Sequence, residues 1–163
     1  MRFAAPALAT AAILAAGCGA RTAAPPPPGS AAELAWIDNA AGLIAQLDDD
    51  VLVSLSGGGD VASARAALRN DSDLVALLMA NVAFGSCAES LHNVGVPTGR
   101  LKQVATTLTS ACAILQRASR LFTRATVQDD PEALIAAARL TRRASPLLRR
   151  AKAELDAVRG GRP

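Results

Sequence analysis

The sequence is short of the side chains that most enzymes and nucleic-acid-binding proteins use. It has no Tyr, one Trp, three Phe and one His. Strands favour aromatic and β-branched side chains, so an apolar half composed mainly of Ala and Leu predicts helices rather than sheets. With one His, no Tyr and no Gly-x-Ser-x-Gly elbow, acid–base and nucleophilic catalysis have few candidate groups. We therefore expect a protein that is not an enzyme and that uses no cofactor.

Motifs for metal ions and phosphate are also missing. Asp48, Asp49 and Asp50 are consecutive, and successive helical residues point about 100° apart, so these carboxylates cannot converge on one ion. The tract Ser56-Gly57-Gly58-Gly59 lacks the Lys-Ser/Thr of a P-loop and follows no strand. The sequence therefore predicts no metal site and no phosphate-binding loop.

The first eighteen residues have the organisation of an export signal. Arg2 precedes an uncharged apolar run from Phe3 to Ala16, which is shorter than the ~20 apolar residues that span a bilayer. The run ends in Leu14-Ala15-Ala16-Gly17-Cys18. This ending resembles the lipobox of bacterial lipoproteins, in which small residues precede an invariant cysteine. Ala15 stands where that pattern usually has Leu.

The resemblance implies cleavage after Gly17, acylation of the Cys18 thiol, and a lipid-anchored protein on the extracytoplasmic face of the cell membrane. Two or three acyl chains are enough for stable anchoring. Ordinary secretory cleavage nearby and an uncleaved signal are the alternatives. Residues 1–17 would then be the signal peptide, residues 18–30 a lipidated Cys with an extended Pro-rich tether, and residues 31–160 the folded domain.

Apolar residues of the domain recur at three- and four-residue steps, the pattern of helices that bury one face. The pattern predicts an all-α antiparallel helical bundle with four main helices and one short helix. The longest stripe comprises Leu101, Val104, Leu108, Ala111, Cys112, Leu115, Ala118 and Phe122. The expected stripe of the first helix comprises Leu34, Ile37, Ala41, Ile44, Leu47 and Val51, and that of the last comprises Leu134, Ala138, Ser145, Leu148, Ala151 and Leu155.

Local signals predict where the helices begin and break. Ser30 with Glu33 forms a capping box, and Thr98 is expected to cap the long helix. A second box-like run, residues 85–89, predicts a kink or restart in the preceding segment. Pro146 removes the hydrogen bond to the Arg142 carbonyl, so we expect a kink or fresh start there.

Cys87 and Cys112 are the cysteines that remain after Cys18, and in an exported protein two such cysteines most often form a disulfide. With the turn centred near Pro97, Cys112 lies fifteen residues away and Cys87 ten, an axial mismatch of about 7–8 Å. A kink at Gly85, or a loop that runs alongside the helix, must compensate for this axial mismatch. Two buried free thiols are the alternative, and without a Cys-x-x-Cys pair a redox role is not expected.

The net charge of +3 conceals two halves of opposite sign. Residues 31–99 hold two Arg and nine acidic residues, a net of −7, whereas residues 100–163 hold thirteen basic and five acidic residues, a net of +8. We expect the two halves to face each other and neutralise partly in the fold. A basic face for an anionic partner is the alternative.

Five arginines of the last helix are the most suggestive surface feature. Arg139, Arg143 and Arg150 fall within a narrow arc opposite the apolar stripe, flanked by Arg142 and Arg149. One interpretation is a solvated face with some salt bridges to the acidic half. The other is a contact surface for anionic lipid headgroups or anionic cell-wall polymers. Nucleic acid is not expected, because the protein is exported and no aromatic residues interleave with the bases.

These patterns predict a non-catalytic, membrane-anchored extracytoplasmic lipoprotein that acts as a binding or scaffolding module for an unidentified protein partner. One alternative is a carrier of a small apolar ligand, which a pocket lined only by apolar residues would support. A small cell-envelope enzyme is the other, and it would need carboxylates around His92. The more ordinary role for His92 is a charge near the C-terminal end of a helix.

Overall fold

The computed structural model describes residues 29–56 and 58–160, which form five helices and no strand. The helices are α1 (Ala31–Ser56), α2 (Val61–Arg69), α3 (Asp71–Val94), α4 (Leu101–Gln128) and α5 (Pro131–Arg159). The prediction of an all-α bundle with four main helices and one short helix is confirmed. Cys18 and the rest of the expected signal and tether, except Gly29 and Ser30, lie outside the described residues.

The four long helices form a closed ring in the order α1, α3, α4, α5. Contacts join α1 to α3, α3 to α4, α4 to α5 and α5 back to α1, and the contact between α4 and α5 is the most extensive. The short helix α2 connects α1 to α3 and packs against α3 and α5. Because each long helix runs opposite to the one before it, α1 and α4 point one way and α3 and α5 the other.

The core follows the predicted stripe of α4, whose eight residues are all at most 1% exposed. The ring of Phe122, on this stripe, lies 6.0 Å from the ring of Phe84 of α3, and the two ring planes are inclined at 39°. The stripes of α1 and α5 are partly wrong. Leu34 is 55% exposed, and Trp36 is buried instead. Ser145 is half-buried, while Thr141 and Ala144 occupy the buried positions of α5.

Side chains cap most of the helix N-termini. The Ser30 hydroxyl accepts a hydrogen bond from the Glu33 N–H at 3.2 Å, as the capping box predicts. Asp60, Asn70 and Asp130 accept in the same way at the starts of α2, α3 and α5. The prediction for Thr98 is wrong. Helix α4 begins after Arg100 without a side-chain cap, and only the backbone carbonyl of Thr98 accepts, from the Leu101 N–H.

Two predicted helix restarts do not occur. Helix α3 continues through residues 85–89 without a restart, and the Ser86 hydroxyl donates to the Val82 carbonyl inside the helix instead of capping a new one. Helix α5 continues through Pro146, so the expected fresh start is wrong. Ala144 and Leu148 are fully buried on either side of it. Burial before and after the proline keeps both turns packed on the core despite the missing backbone donor.

Cys87 and Cys112 form a disulfide with their Cα atoms 5.3 Å apart, which confirms the predicted staple. Helix α3 is continuous at Gly85, and the connection from Gly95 to Arg100 joins it to α4. It begins with Gly95 at φ 107°, a backbone conformation that favours glycine. The Trp36 indole N–H donates to the Gly95 carbonyl at 3.1 Å and ties α1 to this connection.

Candidate functional site

The outer surface of α5 carries the five predicted arginines, and all five are exposed. The helix places them there because its apolar positions face the core. Leu134, Thr141, Leu148 and Leu155 recur at seven-residue steps on the buried side and are at most 1% exposed. The five arginine positions lie away from this buried side and point to solvent.

Contacts within the protein hold three of these five side chains. Arg142 Nη2 donates to the Gly58 carbonyl at 3.3 Å. Arg149 Nη1 donates to the Ser145 hydroxyl at 3.1 Å. Arg150 Nε donates to Glu154 Oε1 at 2.8 Å, an ion pair within the helix. Arg150 is therefore partly neutralised, which the sequence-based grouping with Arg139 and Arg143 did not anticipate.

Arg139 and Arg143 have no such partner. Within residues 29–56 and 58–160, no carboxylate lies in salt-bridge contact with either guanidinium. Both lie on the exposed side of α5, one helical turn apart. They therefore present two uncompensated positive charges on neighbouring turns.

Helix α4 adds three exposed arginines that the sequence-based prediction missed, namely Arg117, Arg120 and Arg124. The register of α4 against α5 is set where the Thr107 hydroxyl donates to Glu154 Oε2 at 2.9 Å. Because the two helices are antiparallel and rise equally per residue, Arg117 is level with residue 144 and Arg120 with residue 141. Both thus lie at the height of Arg143 along the bundle.

Among the α4 arginines, and within the described residues, only Arg124 forms a salt bridge, to Asp130 at 2.9 Å. Asp130 also accepts hydrogen bonds from the Ala133 and Glu132 N–H groups as the N-cap of α5. The Ala133 N–H bond, with the charge of Arg124 as a further cause, lowers the pKa of the Asp130 carboxyl. This corner of the hairpin is therefore electrostatically satisfied, in contrast to its middle.

The middle of the α4–α5 hairpin contains no acidic residue. No Asp or Glu occurs between residues 101 and 128, nor between residues 133 and 153. We call the unpaired arginines of this region, Arg117, Arg120, Arg139 and Arg143, the basic face. The absence of acids from both helices was the sequence signal that could have identified the α4 members.

The opposite side of the ring has the opposite charge. Helices α1 and α3 contain eight acidic residues and no Lys or Arg. The two halves meet in ion pairs at the end where α1 begins, Arg159 with Asp38 and Arg100 with Glu33 at 3.9 Å. Neutralisation between the halves is therefore partial, and the basic face retains its charge.

Two clefts between helices are small and include polar side chains. The cleft between α1 and α5 holds about 100 Å³, and Asp48, Lys152, Asp156 and Arg159 form half of its lining. The groove between α3 and α4 holds about 170 Å³ beside Cys112, with Thr109 and Gln116 among its lining residues. Neither is lined only by apolar side chains, which is the property that an apolar-ligand carrier would need.

The described residues contain no group of three or more His, Cys, Asp or Glu side chains that could hold a metal ion. His92 is exposed in the last turn of α3. Burial raises the pKa of the Asp50 carboxyl, and the charge of Asp49 adds to the effect. Its Oδ2 atom is buried and lacks a hydrogen-bond partner within the described region.

Comparison with known proteins assigns no family to this chain, since no family model, no curated protein and no solved structure matches it. The interpretation of the basic face therefore depends on its geometry and charge.

Proposed function

We propose that this protein is a non-catalytic lipoprotein of the cell membrane, anchored through Cys18 on the extracytoplasmic face, and that it binds anionic surfaces through the basic face. The partner surface would be anionic lipid headgroups or an anionic cell-wall polymer. The bundle would serve as a binding or scaffolding module, and one that could also hold an unidentified protein partner.

The observation that supports this proposal is the uncompensated charge of the basic face. Guanidinium groups form bidentate, charge-assisted hydrogen bonds with phosphate and carboxylate groups. Clustered basic residues near an anionic membrane each contribute about 1 kcal/mol of attraction, within a Debye length of the surface. Arg117, Arg139 and Arg143 are available for such contacts, because they are exposed, close in height and without carboxylate partners in the described region.

The length of the proposed tether is compatible with this contact. Helix α1 begins at Ala31, so residues 18–30 would connect the anchor to one end of the bundle. An extended tether of this length spans roughly 37 Å at about 3 Å per residue. Arg143 and Arg139 lie about 24 and 30 Å from the end of α5 at that side of the bundle, at 1.5 Å per residue. An anchored molecule could therefore lay its basic face against the same surface.

Charge reversal of the basic face tests the proposal. The chain is produced from residue 19 onward, so that neither the apolar leader nor Cys18 contributes to binding. We expect it to sediment with vesicles rich in phosphatidylglycerol, and with purified anionic cell-wall material if that is the partner, but not with neutral phosphatidylcholine vesicles. The double variant Arg139→Glu/Arg143→Glu should bind at least about tenfold more weakly, because two attractive charges become repulsive.

A matched control changes the same amount of charge elsewhere. Arg65 of α2 and Lys102 near the start of α4 are both exposed, and Arg65→Glu/Lys102→Glu should reduce binding much less. Raising the salt concentration should weaken binding by the wild type. Binding that ignores salt, or equal loss in both double variants, would contradict a role for the basic face.

The anchor is tested separately by intact mass. The full-length chain, expressed in a bacterium that processes lipoproteins, should begin at Cys18 and carry a lipid-sized mass increment. The Cys18→Ser variant should lack that increment and leave the membrane fraction. A wild-type chain without a lipid would remove the anchor from the proposal and leave the basic-face test intact.

A further inference from the structure

The seam between α4 and α5 is apolar at its middle. The hydrogen bond from Thr107 to Glu154 joins the two helices. Seven-residue steps along each helix from these two residues reach four apolar side chains, which therefore lie level in pairs across the seam, Ile114 with Leu147 and Leu121 with Leu140. All four are partly buried against the core. The solvent side of the seam thus has an apolar floor.

Arg117 and Arg143 lie between these two apolar pairs, one on each side of the seam. Each follows one apolar residue of its own helix by three positions and precedes the next by four, which places it at the edge of the seam. The hydrogen bond sets Arg117 level with residue 144. Gln128, which ends α4, and Pro131, which begins α5, set it level with residue 142. Arg143 lies between these two values, and we call Arg117 and Arg143 the arginine pair.

The arginine pair sets like charges against each other without a counter-charge. Positions that flank an interhelical seam commonly carry opposite charges that form salt bridges. In the part of the chain that the structure describes, neither Arg117 nor Arg143 has a carboxylate in salt-bridge contact. The nearest acidic residues of α5, Glu132 and Glu154, are each eleven residues from Arg143, about 16 Å along the helix. That distance is about twice the Debye length of ~8 Å, so a bound anion would relieve the repulsion.

We propose that the arginine pair binds one phosphomonoester group, held between the two guanidiniums above the apolar floor. This inference rests on the proposed role of the basic face and adds a discrete site with a chemical preference. A phosphomonoester carries a charge of about −1.5 to −2 at pH 7 and three strong acceptor oxygens. Two guanidinium forks can therefore each engage a pair of its oxygens. A phosphodiester or a carboxylate has a single charge and two free oxygens, which satisfy one fork.

The position of the arginine pair separates it from the rest of the basic face. The apolar floor offers no side-chain donor or acceptor, so a phosphate above it is bound by the guanidiniums, and reduced contact with water strengthens those bonds. Arg120 and Arg139 are rotated about 60° and 40° further from the seam than Arg117 and Arg143, at about 100° per residue. They contribute attraction at a distance, and they do not face each other across the seam.

Titration with small anions tests the site. The full-length chain in a non-ionic detergent is titrated at constant ionic strength with methyl phosphate, dimethyl phosphate or acetate, and the Nε–H signals of the arginines are followed by NMR. Methyl phosphate should shift the Arg117 and Arg143 signals along one saturating curve. It should bind at least about tenfold more tightly than the other two anions. Equal binding of methyl phosphate and dimethyl phosphate would overturn the proposal.

The pH provides a second readout, because the second pKa of a phosphomonoester is about 6 whereas a phosphodiester has no second ionisation. The preference for methyl phosphate over dimethyl phosphate should therefore be largest at pH 7 and fall to less than about threefold at pH 5, where methyl phosphate is mostly a monoanion. A preference that is equally large at both pH values would contradict recognition of the dianion.

Lysine substitution separates the fork geometry from the charge. Arg117→Lys/Arg143→Lys preserves both positive charges and removes both forks. The variant should bind methyl phosphate at least about tenfold more weakly, yet sediment with phosphatidylglycerol vesicles to within about threefold of the wild type, since that binding depends on charge. Unchanged affinity for methyl phosphate would overturn the site.

A matched pair of single variants distinguishes the arginine pair from a diffuse positive surface. Arg117→Gln and Arg139→Gln each remove one charge from an exposed position of the basic face, so neither disturbs the core. Arg117→Gln should weaken methyl phosphate binding at least about tenfold, and Arg139→Gln by less than about threefold. Equal losses in the two variants would overturn the arginine pair.

The phosphomonoester belongs to a lipid headgroup or to a soluble compound, and competition distinguishes these sources. If it is a lipid, phosphatidic acid added to the detergent micelles should weaken methyl phosphate binding at least about fivefold, while phosphatidylglycerol at the same mole fraction should not. If it is soluble, neither lipid should compete. Failure of the methyl phosphate preference would overturn the arginine pair and leave vesicle binding by the basic face intact. Failure of vesicle binding alone would overturn the proposed function and leave the arginine pair.

Discussion

A Cβ atom on Gly58 would lie 2.1 Å from the Cβ atom of Ala138, so the chain after α1 touches α5 at a position where only glycine fits. The Gly58 carbonyl accepts from Arg142 one turn further along α5. The Gly-rich tract therefore packs against α5 in addition to connecting α1 with α2. It fixes where α2 leaves α1 and packs against the neighbouring helix.

This contact predicts a specific pair of mutational effects. Gly58→Ala should destabilise the fold by about 1–3 kcal/mol, the usual cost of overpacking a tight site. Ala138→Gly removes the opposing Cβ and should offset much of that loss, so the double variant should be more stable than the sum of the single effects. Chemical denaturation measures all three. Gly59→Ala, where a Cβ would meet nothing within 4 Å, is the control, and a loss equal to that of Gly58→Ala would contradict the steric explanation.

Reduction of the disulfide should destabilise the bundle by about 3 kcal/mol, because the bridge between Cys87 and Cys112 closes a 25-residue separation in the unfolded chain. The measurement is the free energy of unfolding with and without a phosphine reductant. The variant Cys87→Ala/Cys112→Ala should be insensitive to the reductant. An equal response of wild type and variant would show that the effect does not come from the bridge.

Asp50 predicts a pH dependence of stability. Burial, with a contribution from Asp49, raises the pKa of its carboxyl in the folded state. The folded state therefore holds the proton more tightly than the unfolded state. Stability is lost as the pH rises from the ordinary value of 3.8 through the raised value. Above both pKa values the ionised Asp50 carboxylate lowers the free energy of unfolding by a constant amount.

We therefore expect Asp50→Asn to be more stable than the wild type at pH 7, with a gain that shrinks towards zero below pH ~3.8. Denaturant titrations of both chains between pH 3 and pH 7 give the difference, in which the acid response of the Asp60 and Asp130 caps cancels. Asp49→Asn should produce a smaller gain of the same sign. A difference that does not vary with pH would mean that titration of Asp50 is not its origin.

The charge pattern illustrates how far the sequence alone reaches. Arg139 and Arg143 were placed on the exposed face of the last helix from their spacing, because side-chain direction along a helix depends only on residue number. That Arg150 is paired with Glu154, and that Arg117 and Arg120 of α4 lie at the same height as Arg143, depends on rotamers and on the register between helices. Spacing within one helix carries neither kind of information.

The sequence by itself determined the all-α class, the buried stripe of α4 and the pairing of Cys87 with Cys112. Each follows from a strong periodicity or from a small number of partners. Only the tertiary structure decided that α3 continues through Gly85, that α5 continues through Pro146 and that Leu34 faces solvent. The preference of Gly85 and Pro146 for ending a helix is worth at most a few kcal/mol. Burial of the residues on either side against neighbouring helices outweighs it, and those neighbours are specified elsewhere in the chain.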